Sequence, residues 1–287
     1  MTKKINQHLC DIETIIAEIR KELDGQKRPA IEAESIRQRQ EWPEAVDDLL
    51  IARTDEDLGK RAEGILQLFI TDSLQGKRIL DYGCGKGHLI ERSKGHGAIK
   101  AVGFDVVRDA HWETAQFGEF SDTWTEVIDK GPYDYVTIYD VLDHADFPID
   151  CLKMVASVLS TGGTVFVRAH PWCSRHGGHI YEHLNKAYAH LIMPSDVVAN
   201  MAGANLPVQR VIHPIYEYRN WISQSGLKIK SEDVIHCHVE EYFKKDETIA
   251  NALKMVWKGS HDKDLASGNN FPDHQLSMQF IDYILTK

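Results

Sequence analysis

Three glycines at alternate positions constrain this chain more than any other feature of its sequence. They stand in the segment Leu80-Asp81-Tyr82-Gly83-Cys84-Gly85-Lys86-Gly87-His88, after a short apolar run that ends in an acid and before a second apolar run. Because glycine tolerates the backbone angles of a tight turn, this order predicts a strand, a turn and a helix. The start of such a helix offers free N–H groups and a positive dipole to a ligand.

A second acid follows the next predicted strand. Lys100 to Phe104 is a short apolar run, and Asp105 comes eighteen residues after Gly87. In an open α/β sheet, an acid at this place reaches the ribose hydroxyls of a nucleoside cofactor. The dinucleotide spacing G-x-G-x-x-G would need a glycine where His88 stands, so the turn favours a different nucleoside ligand.

The order acidic-x-Gly-x-Gly-x-Gly, with an acid at the end of the next strand, resembles the class I S-adenosylmethionine-dependent methyltransferases. The resemblance spans roughly residues 76–239. It implies an α/β fold: a Rossmann-like three-layer sandwich around a mostly parallel seven-stranded sheet, with an N-terminal helical extension. It also implies S-adenosyl-L-methionine as the cofactor and S-adenosyl-L-homocysteine as its product.

The resemblance also implies where the cofactor binds. The family's third strand is followed by an acid near the adenine amino group, a role for which Asp122 is the candidate and an ordinary solvated loop acid the alternative. The fourth strand, Tyr133 to Asp140, should contribute its carboxyl end. The predicted cofactor-binding residues are Asp81, Tyr82, Gly83, Cys84, Gly85, Gly87, Asp105, Val106, Asp122, Tyr139 and Asp140.

The chain divides into three predicted parts. Residues 1–75 read as helical, and they form either a packing or dimerising appendage or a lid over the active site. Residues 76–243 form the cofactor domain, with a histidine-rich insertion at about 170–215. Residues 244–287 form a mixed tail packed on that domain, with helices near 249–257 and 276–285. The last two strands are predicted at 227–230 and 234–239, and helices at 5–23, 44–51, 106–115 and 184–193.

The histidine-rich segment 170–183 leaves a strand's carboxyl end, and three interpretations of it stay open. It recognises substrate and supplies a proton acceptor, because imidazole titrates near neutral pH. It binds a metal, since its histidines and Cys173 recur at steps of three or four residues, although two glycines and a proline break the helical face. Or its histidines only pack and form hydrogen bonds.

The first interpretation supplies the candidate site residues. Separately, His144 on the loop after the fourth strand is a candidate base, or a histidine packed on the cofactor edge. The arginines could hold a carboxylate or phosphate. The candidate catalytic residues are His144, His176 and His179, the candidate substrate-binding residues are Arg168, His170, Trp172 and Arg175, and no residue is assigned as a metal ligand.

The net charge and the cysteines limit the classes of binding partner and indicate the compartment. The formal charge is −10 and the pI is near 5.8, which argues against non-specific binding of DNA or RNA. Five scattered cysteines, a polar start and the lack of a membrane-length apolar run predict free thiols in a reducing cytoplasm. The preferred function is methylation of an O or N atom of a small molecule, with a homodimer through the N-terminal helices as a candidate assembly. The alternatives are methylation of RNA, a nucleotide or protein, and a non-methylating cofactor-binding protein of this fold.

Overall fold

The computed structural model describes residues 32–47, 54–70, 73–171, 174–203, 215–237 and 277–287. Its strands are β1 (Arg78–Tyr82), β2 (Lys100–Phe104), β3 (Glu119–Ser121), β4 (Tyr133–Tyr139), β5 (Leu159–Ala169), β6 (Lys228–His236) and β7 (Met278–Thr286). Its helices are α1 (Ala33–Arg37), α2 (Asp55–Phe69), α3 (His88–Ser93), α4 (Trp124–Lys130), α5 (Pro148–Val158), α6 (Ala189–Ile192), α7 (Ser195–Ala202) and α8 (Ile215–Ser225). Among these residues, no helix is both long and apolar enough to cross a membrane.

All seven strands form one sheet in the order β3-β2-β1-β4-β5-β7-β6. Strands β1 to β5 are parallel, and β7 runs antiparallel between β5 and β6. The order reverses between β1 and β4, and in open sheets a ligand crevice lies at such a reversal, beyond the carboxyl ends of the strands. The predicted mostly parallel seven-stranded sheet is confirmed.

Helices cover both faces of the sheet because both faces of its central strands are apolar. One buried cluster joins β1 to α2 and α3, and it includes Leu66, Ile79 and Ile90. A second cluster, with Val136 and Leu152, joins the other face to α4, α5 and α8. Full burial of each such side chain contributes about 1.5–3 kcal/mol, so the sheet and its two helical layers form one stable unit.

A third buried cluster lies apart from the sheet. It packs α1 and Trp42 against the segment 180–202. The indole N–H of Trp42 donates to the carbonyl oxygen of Ala187 at 2.8 Å, and Val46 N–H donates to the side chain of Asn185 at 2.9 Å. The segment before α2 therefore packs against the histidine-rich insertion and stabilises it.

Several predicted elements are wrong in type or extent. The helix predicted at 276–285 is β7, where Ile281, Tyr283 and Leu285 alternate into the core with the two-residue period of a strand. The two strands predicted at 227–239 are one strand, β6. The helix predicted at 106–115 is only a 3₁₀ turn, Ala110–Glu113, and the one at 184–193 is only the short α6.

The remaining element predictions divide into two groups. A third strand within 117–122, the buried fourth strand and the helix from Pro148 are confirmed. Residues 44–47 are not helical, and the rest of that predicted helix lies outside the described residues. The helices predicted at 5–23 and 249–257 also lie outside them.

Candidate functional site

The glycine-rich turn after β1 is fixed by hydrogen bonds and by close packing. The N–H groups of Gly83 and Cys84 donate to the carbonyl oxygen of Phe104, at 2.7 and 3.0 Å. Gly83 has φ 84°, and a Cβ there would lie 2.2 Å from the side chain of Val141. Gly87 has φ 91°, and its Cβ would meet an aromatic ring at 2.2 Å. Packing and backbone conformation both demand glycine at these two positions.

Gly85 differs from its two neighbours because the space beside it is open. Its φ is 50°, yet a Cβ there would have nothing within 4 Å. Its N–H donates to Asp105 Oδ2 at 2.8 Å, and Asp105 Oδ1 accepts from Val107 N–H at 3.1 Å. A ligand can therefore approach the backbone at Gly85 beside a carboxylate that is already oriented.

Asp81 lies beneath this turn and is only 5% exposed. Burial raises its pKa to about 7, although the hydroxyl of Thr137 donates to its Oδ1 at 2.6 Å and opposes that shift. Burial likewise raises the pKa of Tyr82 and of Cys84, so both are neutral at ordinary pH. The Tyr82 ring packs 5.7 Å from the indole of Trp124.

The end of β4 joins this turn to the histidine-rich segment. Asp140 adopts φ 54°, in the left-handed region that few non-glycine residues occupy. Its Oδ2 pairs with Arg61 of α2, whose guanidinium lies 5.1 Å from the centroid of the Tyr139 ring. Its Oδ1 lies 3.4 Å from Nδ1 of His170. Asp140 therefore links helix α2 to the loop after β5.

Three imidazoles surround the side chain of Asp143, which is only 5% exposed. Asp143 Oδ2 lies 3.1 Å from His170 Nε2 and 3.4 Å from Nε2 of both His179 and His144. The Nε2 atoms of His170 and His179 are 2.6 Å apart. We call Asp143, His144, His170 and His179 the histidine–aspartate cluster. It stands at the carboxyl ends of β4 and β5, where ligands bind in such sheets.

Charge is unevenly distributed in and beside this cluster. Burial disfavours the charged form of Asp143, but the field of His170 and the nearby His179 outweigh it and hold the pKa of Asp143 below its ordinary value. Burial lowers the pKa of His179 to about 4 and that of His176 well below its usual range. Burial opposes protonation of His170 too, yet the charges of Asp143 and Asp140 raise its pKa. A carboxylate, a neutral His179 and a His170 whose protonated form is favoured therefore converge on a nearly dry point.

Comparison with known proteins assigns this architecture to a family. A family model described as a methyltransferase domain matches residues 54–228, which is more than half of the chain. The chain belongs to this methyltransferase family. It is an S-adenosylmethionine-dependent enzyme of class I, as the glycine turn and its two acids predict.

Similar proteins agree with this assignment. The chain is 28% identical over 179 residues to a "Ubiquinone biosynthesis O-methyltransferase" from Coxiella burnetii, which covers 58% of this methyltransferase and 70% of the relative. It is 26% identical over 173 residues to the protein of the same name from Escherichia coli (strain SMS-3-5 / SECEC), covering 57% and 67%.

Solved structures share the fold. A SAM dependent methyltransferase from Archaeoglobus fulgidus superposes with a TM-score of 0.50 at 16% identity, covering 80% of this methyltransferase and 94% of that chain. The cyclopropane synthase MmaA2 from Mycobacterium tuberculosis gives 0.50 at 13% identity, covering 83% and 86%. Both likenesses concern the fold alone.

The methyltransferase fold brings several of the predicted site residues together, and others are exposed, lie at the margin of the cluster or fall outside the described residues. Val106 is 79% exposed, and Asp122 is exposed and accepts a hydrogen bond from the adjacent Thr123. His176 lies beside His170, with the two rings tilted by 41° and their centroids 4.7 Å apart. Trp172 lies outside the described residues.

The role predicted for Arg168 needs correction. Its guanidinium donates two hydrogen bonds to Asp282 of β7, one of them at 2.6 Å from Nε, and both side chains are nearly buried. Arg168 also lies over the rings of Tyr139 and Phe280. Because its charge and its planar fork are already matched within the sheet, the structure does not leave it free to hold a substrate carboxylate. Arg175 differs, since its Nε is buried and has no hydrogen-bond partner among the described residues.

Two residues at the centre of the site were missed by sequence reasoning. Asp143 stands between two predicted site residues, Asp140 and His144, and its spacing of three from Asp140 is the signal that the sequence offers. Arg61 gave no signal, because it is one of several charged residues on α2 and only the packing of that helix brings it to Asp140.

Proposed function

We propose that this methyltransferase transfers the methyl group of S-adenosylmethionine to an oxygen atom of a small molecule. The observation that carries the proposal is the placement of the histidine–aspartate cluster at the same sheet edge as the open turn at Gly85. A hydroxyl acceptor must lose a proton during methyl transfer, and a cluster of imidazoles beside a carboxylate is suited to assist that loss. The names of the relatives, which are O-methyltransferases, support the same acceptor atom.

In this proposal the cofactor lies across the open face of Gly85. The carboxylate of Asp105 accepts hydrogen bonds from the ribose hydroxyls, using lone pairs that its bonds to Gly85 and Val107 leave free. Asp81 lies under the methionine end, and Tyr139 and Asp140 line the far side. The full set proposed for the cofactor is Asp81, Tyr82, Gly83, Cys84, Gly85, Gly87, Asp105, Val106, Asp122, Tyr139 and Asp140.

The acceptor would bind between the histidine–aspartate cluster and the segment after β5. Arg175 Nε, which has no partner among the described residues, would hold an acidic group on the acceptor, and His170 is a further proposed contact. Trp172 stays a proposed substrate contact on the sequence alone. The net charge of −10 favours a small molecule over a nucleic acid. The alternative acceptors are RNA, a nucleotide, a protein and a nitrogen atom. The labelling experiment below distinguishes them from a hydroxylated small molecule.

The reaction needs little beyond alignment and one proton acceptor. The acceptor oxygen attacks the methyl carbon in line with the sulfur–carbon bond, which breaks as the new oxygen–carbon bond forms and leaves S-adenosylhomocysteine. His144, whose side chain is 33% exposed, would accept the hydroxyl proton, while the buried His176 and His179 shape the pocket. Most of the rate enhancement would come from holding the two reactants in register.

The cofactor assignment is tested by calorimetry with S-adenosylmethionine. Asp105→Ala should weaken binding tenfold or more, about 1.4 kcal/mol, because the ribose hydroxyls lose their acceptor. Asp129→Ala removes an exposed carboxylate on α4 and serves as the control, with affinity unchanged. Equal affinities for the wild type and Asp105→Ala would remove the ribose assignment.

The acceptor class is tested by transfer of labelled methyl groups to hydroxylated small molecules, amines, RNA and protein. We expect label in the hydroxylated molecules, and His144→Gln should lower turnover while cofactor affinity stays nearly intact. His183→Gln changes an exposed histidine of the same segment and should keep full turnover. Label that appears only in RNA or protein would overturn the small-molecule assignment.

We also propose an oligomeric state and a cellular location for this methyltransferase. Pairing of two chains through the N-terminal segment would show in light scattering as twice the mass of 32.6 kDa, and a monomer would refute it. Residence in the cytoplasm would show by fractionation of the producing cells.

A further inference from the structure

We propose that the histidine–aspartate cluster is a binding site for one divalent transition-metal ion, with Asp143, His170 and His179 as its protein ligands. One oxygen and two imidazole nitrogens from these residues all lie within 4.8 Å of one another. The three residues come from the loop after β4 and the segment after β5, so the sheet brings them together. This ligand set differs from the run of three- and four-residue steps that suggested a metal in the sequence.

The surroundings of Asp143 are those of a metal-binding carboxylate. Within the part of the chain that the structure describes, neither carboxylate oxygen has a hydrogen-bond partner, although both are buried. The three imidazole nitrogens that face Oδ2 at 3.1–3.4 Å are therefore close but not aligned for N–H···O bonds. A buried carboxylate whose oxygens lack aligned hydrogen bonds is suited to bind a cation, and a metal ion at the shared point would contact the carboxylate and the imidazole nitrogens together.

The distances between the ligand atoms fit a small ion. Tetrahedral sites with metal–ligand bonds near 2.0–2.2 Å separate their ligand atoms by about 3.3 Å. The oxygen-to-nitrogen separations of 3.1 and 3.4 Å match this edge. The nitrogen-to-nitrogen separation of 2.6 Å is shorter, so the two imidazoles would move apart by less than about 1 Å to admit the ion.

The residues that contact the proposed ligands are also arranged as in known metal sites. Imidazoles that bind a metal usually direct their second ring nitrogen to a carboxylate, which fixes the ring and its tautomer. His170 directs Nδ1 toward Asp140 Oδ1 at 3.4 Å, and Asp140 is itself paired with Arg61. Asp140 and Arg61 are therefore positioning residues for this ligand.

Two imidazoles and one carboxylate favour a borderline ion such as Zn²⁺, Mn²⁺ or Fe²⁺ over Mg²⁺ or Ca²⁺, which prefer oxygen ligands. Three protein ligands leave a coordination position open, as in catalytic rather than structural zinc sites. We assign the open coordination position to the acceptor hydroxyl, an assignment that rests on the proposed function. A metal-bound hydroxyl is more acidic, so its proton would pass more readily to His144 while the oxygen stays fixed for methyl transfer.

The test measures metal binding by the full chain without S-adenosylmethionine. Protein freed of metal by a chelator is titrated with Zn²⁺ by calorimetry and with Co²⁺ by visible absorption. We expect one equivalent to bind, with cobalt bands typical of low coordination number. His170→Gln and His179→Gln should each lower Zn²⁺ affinity 100-fold or more, and Asp140→Asn about 10- to 100-fold.

Two controls locate the ion. His183→Gln removes an exposed histidine of the same segment and should bind as the wild type does. His111→Gln disrupts a second group, His88, Glu91 and His111, whose Glu91 oxygens already accept hydrogen bonds from His111 and Gln116. It should also leave binding unchanged.

The absence of a stoichiometric site in the wild type would overturn the proposal, whether or not a variant folds. Binding that survives in His170→Gln and His179→Gln, or that disappears in His111→Gln, would overturn it as well. S-adenosylmethionine affinity, measured in parallel, reports both folding of each variant and the proposed function. Cofactor binding without metal binding refutes only this inference, whereas metal binding without cofactor binding refutes only the methyltransferase assignment of the cleft.

Discussion

At the scale of single residues, the glycines of the turn after β1 serve different purposes. Gly83 and Gly87 are required by the protein's own packing, because a Cβ at either position would overlap a side chain. Gly85 has open space beside it, so the reason for glycine there is its positive φ and the approach of a ligand.

Gly85→Ala should therefore separate cofactor binding from stability. We expect a loss of stability of about 1–2 kcal/mol, from an alanine held in the left-handed region, and a loss of S-adenosylmethionine affinity of at least tenfold. Gly76→Ala is the matched control, since Gly76 has φ 72°, equally open space and no part in the turn. Denaturant unfolding and calorimetry measure the two effects, and similar cofactor affinities in both variants would contradict the assignment.

Asp81 should make stability depend on pH. Its folded pKa, about 7, lies above the ordinary unfolded value, so the folded state binds the proton more tightly. Stability contributed by the protonated form is complete below about pH 4, falls as pH rises to about 7, and is level above that. Asp81→Asn should remove this loss, raising stability at pH 8 by at most about 4 kcal/mol and changing it little at pH 4.5.

Urea unfolding without cofactor, at both pH values, measures this difference. Asp129→Asn, at an exposed position on α4, is the control and should show no such dependence. If Asp81→Asn shifted stability equally at both pH values, burial of a charge would not be the cause.

At the scale of elements, helix α2 carries Arg61 to Asp140 and is anchored at its start. Thr54 and Asp57 form a capping box, in which the hydroxyl of Thr54 accepts from Asp57 N–H and the Asp57 carboxylate accepts from Thr54 N–H. An ion pair of 2.8 Å joins Asp55 to Lys86 of the glycine turn, but both side chains are about half exposed. The cap should therefore matter more than the ion pair.

We expect Thr54→Ala to lower the free energy of unfolding by about 1 kcal/mol, because the first turn loses a hydrogen-bond acceptor. Lys86→Ala should change it by less than about 0.5 kcal/mol, since exposed ion pairs are screened by water. Chemical denaturation of the two variants compares them directly. A larger loss in Lys86→Ala than in Thr54→Ala would show that the ion pair, not the cap, positions this helix.

At the scale of the whole molecule, β7 places residues 278–286 inside the sheet, next to the edge strand β6. It lies between β5 and β6 and hydrogen-bonds to both. The nearly buried pair of Arg168 and Asp282 links β5 to β7, in register across the two strands. The pair therefore connects residues far apart in sequence.

Arg168→Leu should lower stability by about 3–5 kcal/mol, because it leaves the Asp282 carboxylate buried without a partner. The double variant Arg168→Leu/Asp282→Leu should recover much of that loss. Arg219→Leu breaks a pair with Glu232 whose arginine side chain is half exposed, and it should cost no more than about 1 kcal/mol. A double variant as unstable as the single one would contradict this reason. It would show that the loss of stability comes from the packing of the arginine and not from the unpaired Asp282 carboxylate.

The sequence by itself determined the cofactor half of this methyltransferase. This half consists of local features: the strand, the glycine turn, the helix and the acid after the next strand. Each depends on residues that are close together in the sequence. Only the tertiary structure decided the rest: that β7 is a strand within the sheet, that Arg168 is paired with Asp282, and that Asp143 meets His170 and His179. These contacts join residues between 27 and 122 positions apart, and convergence over such separations depends on how the strands are ordered in space.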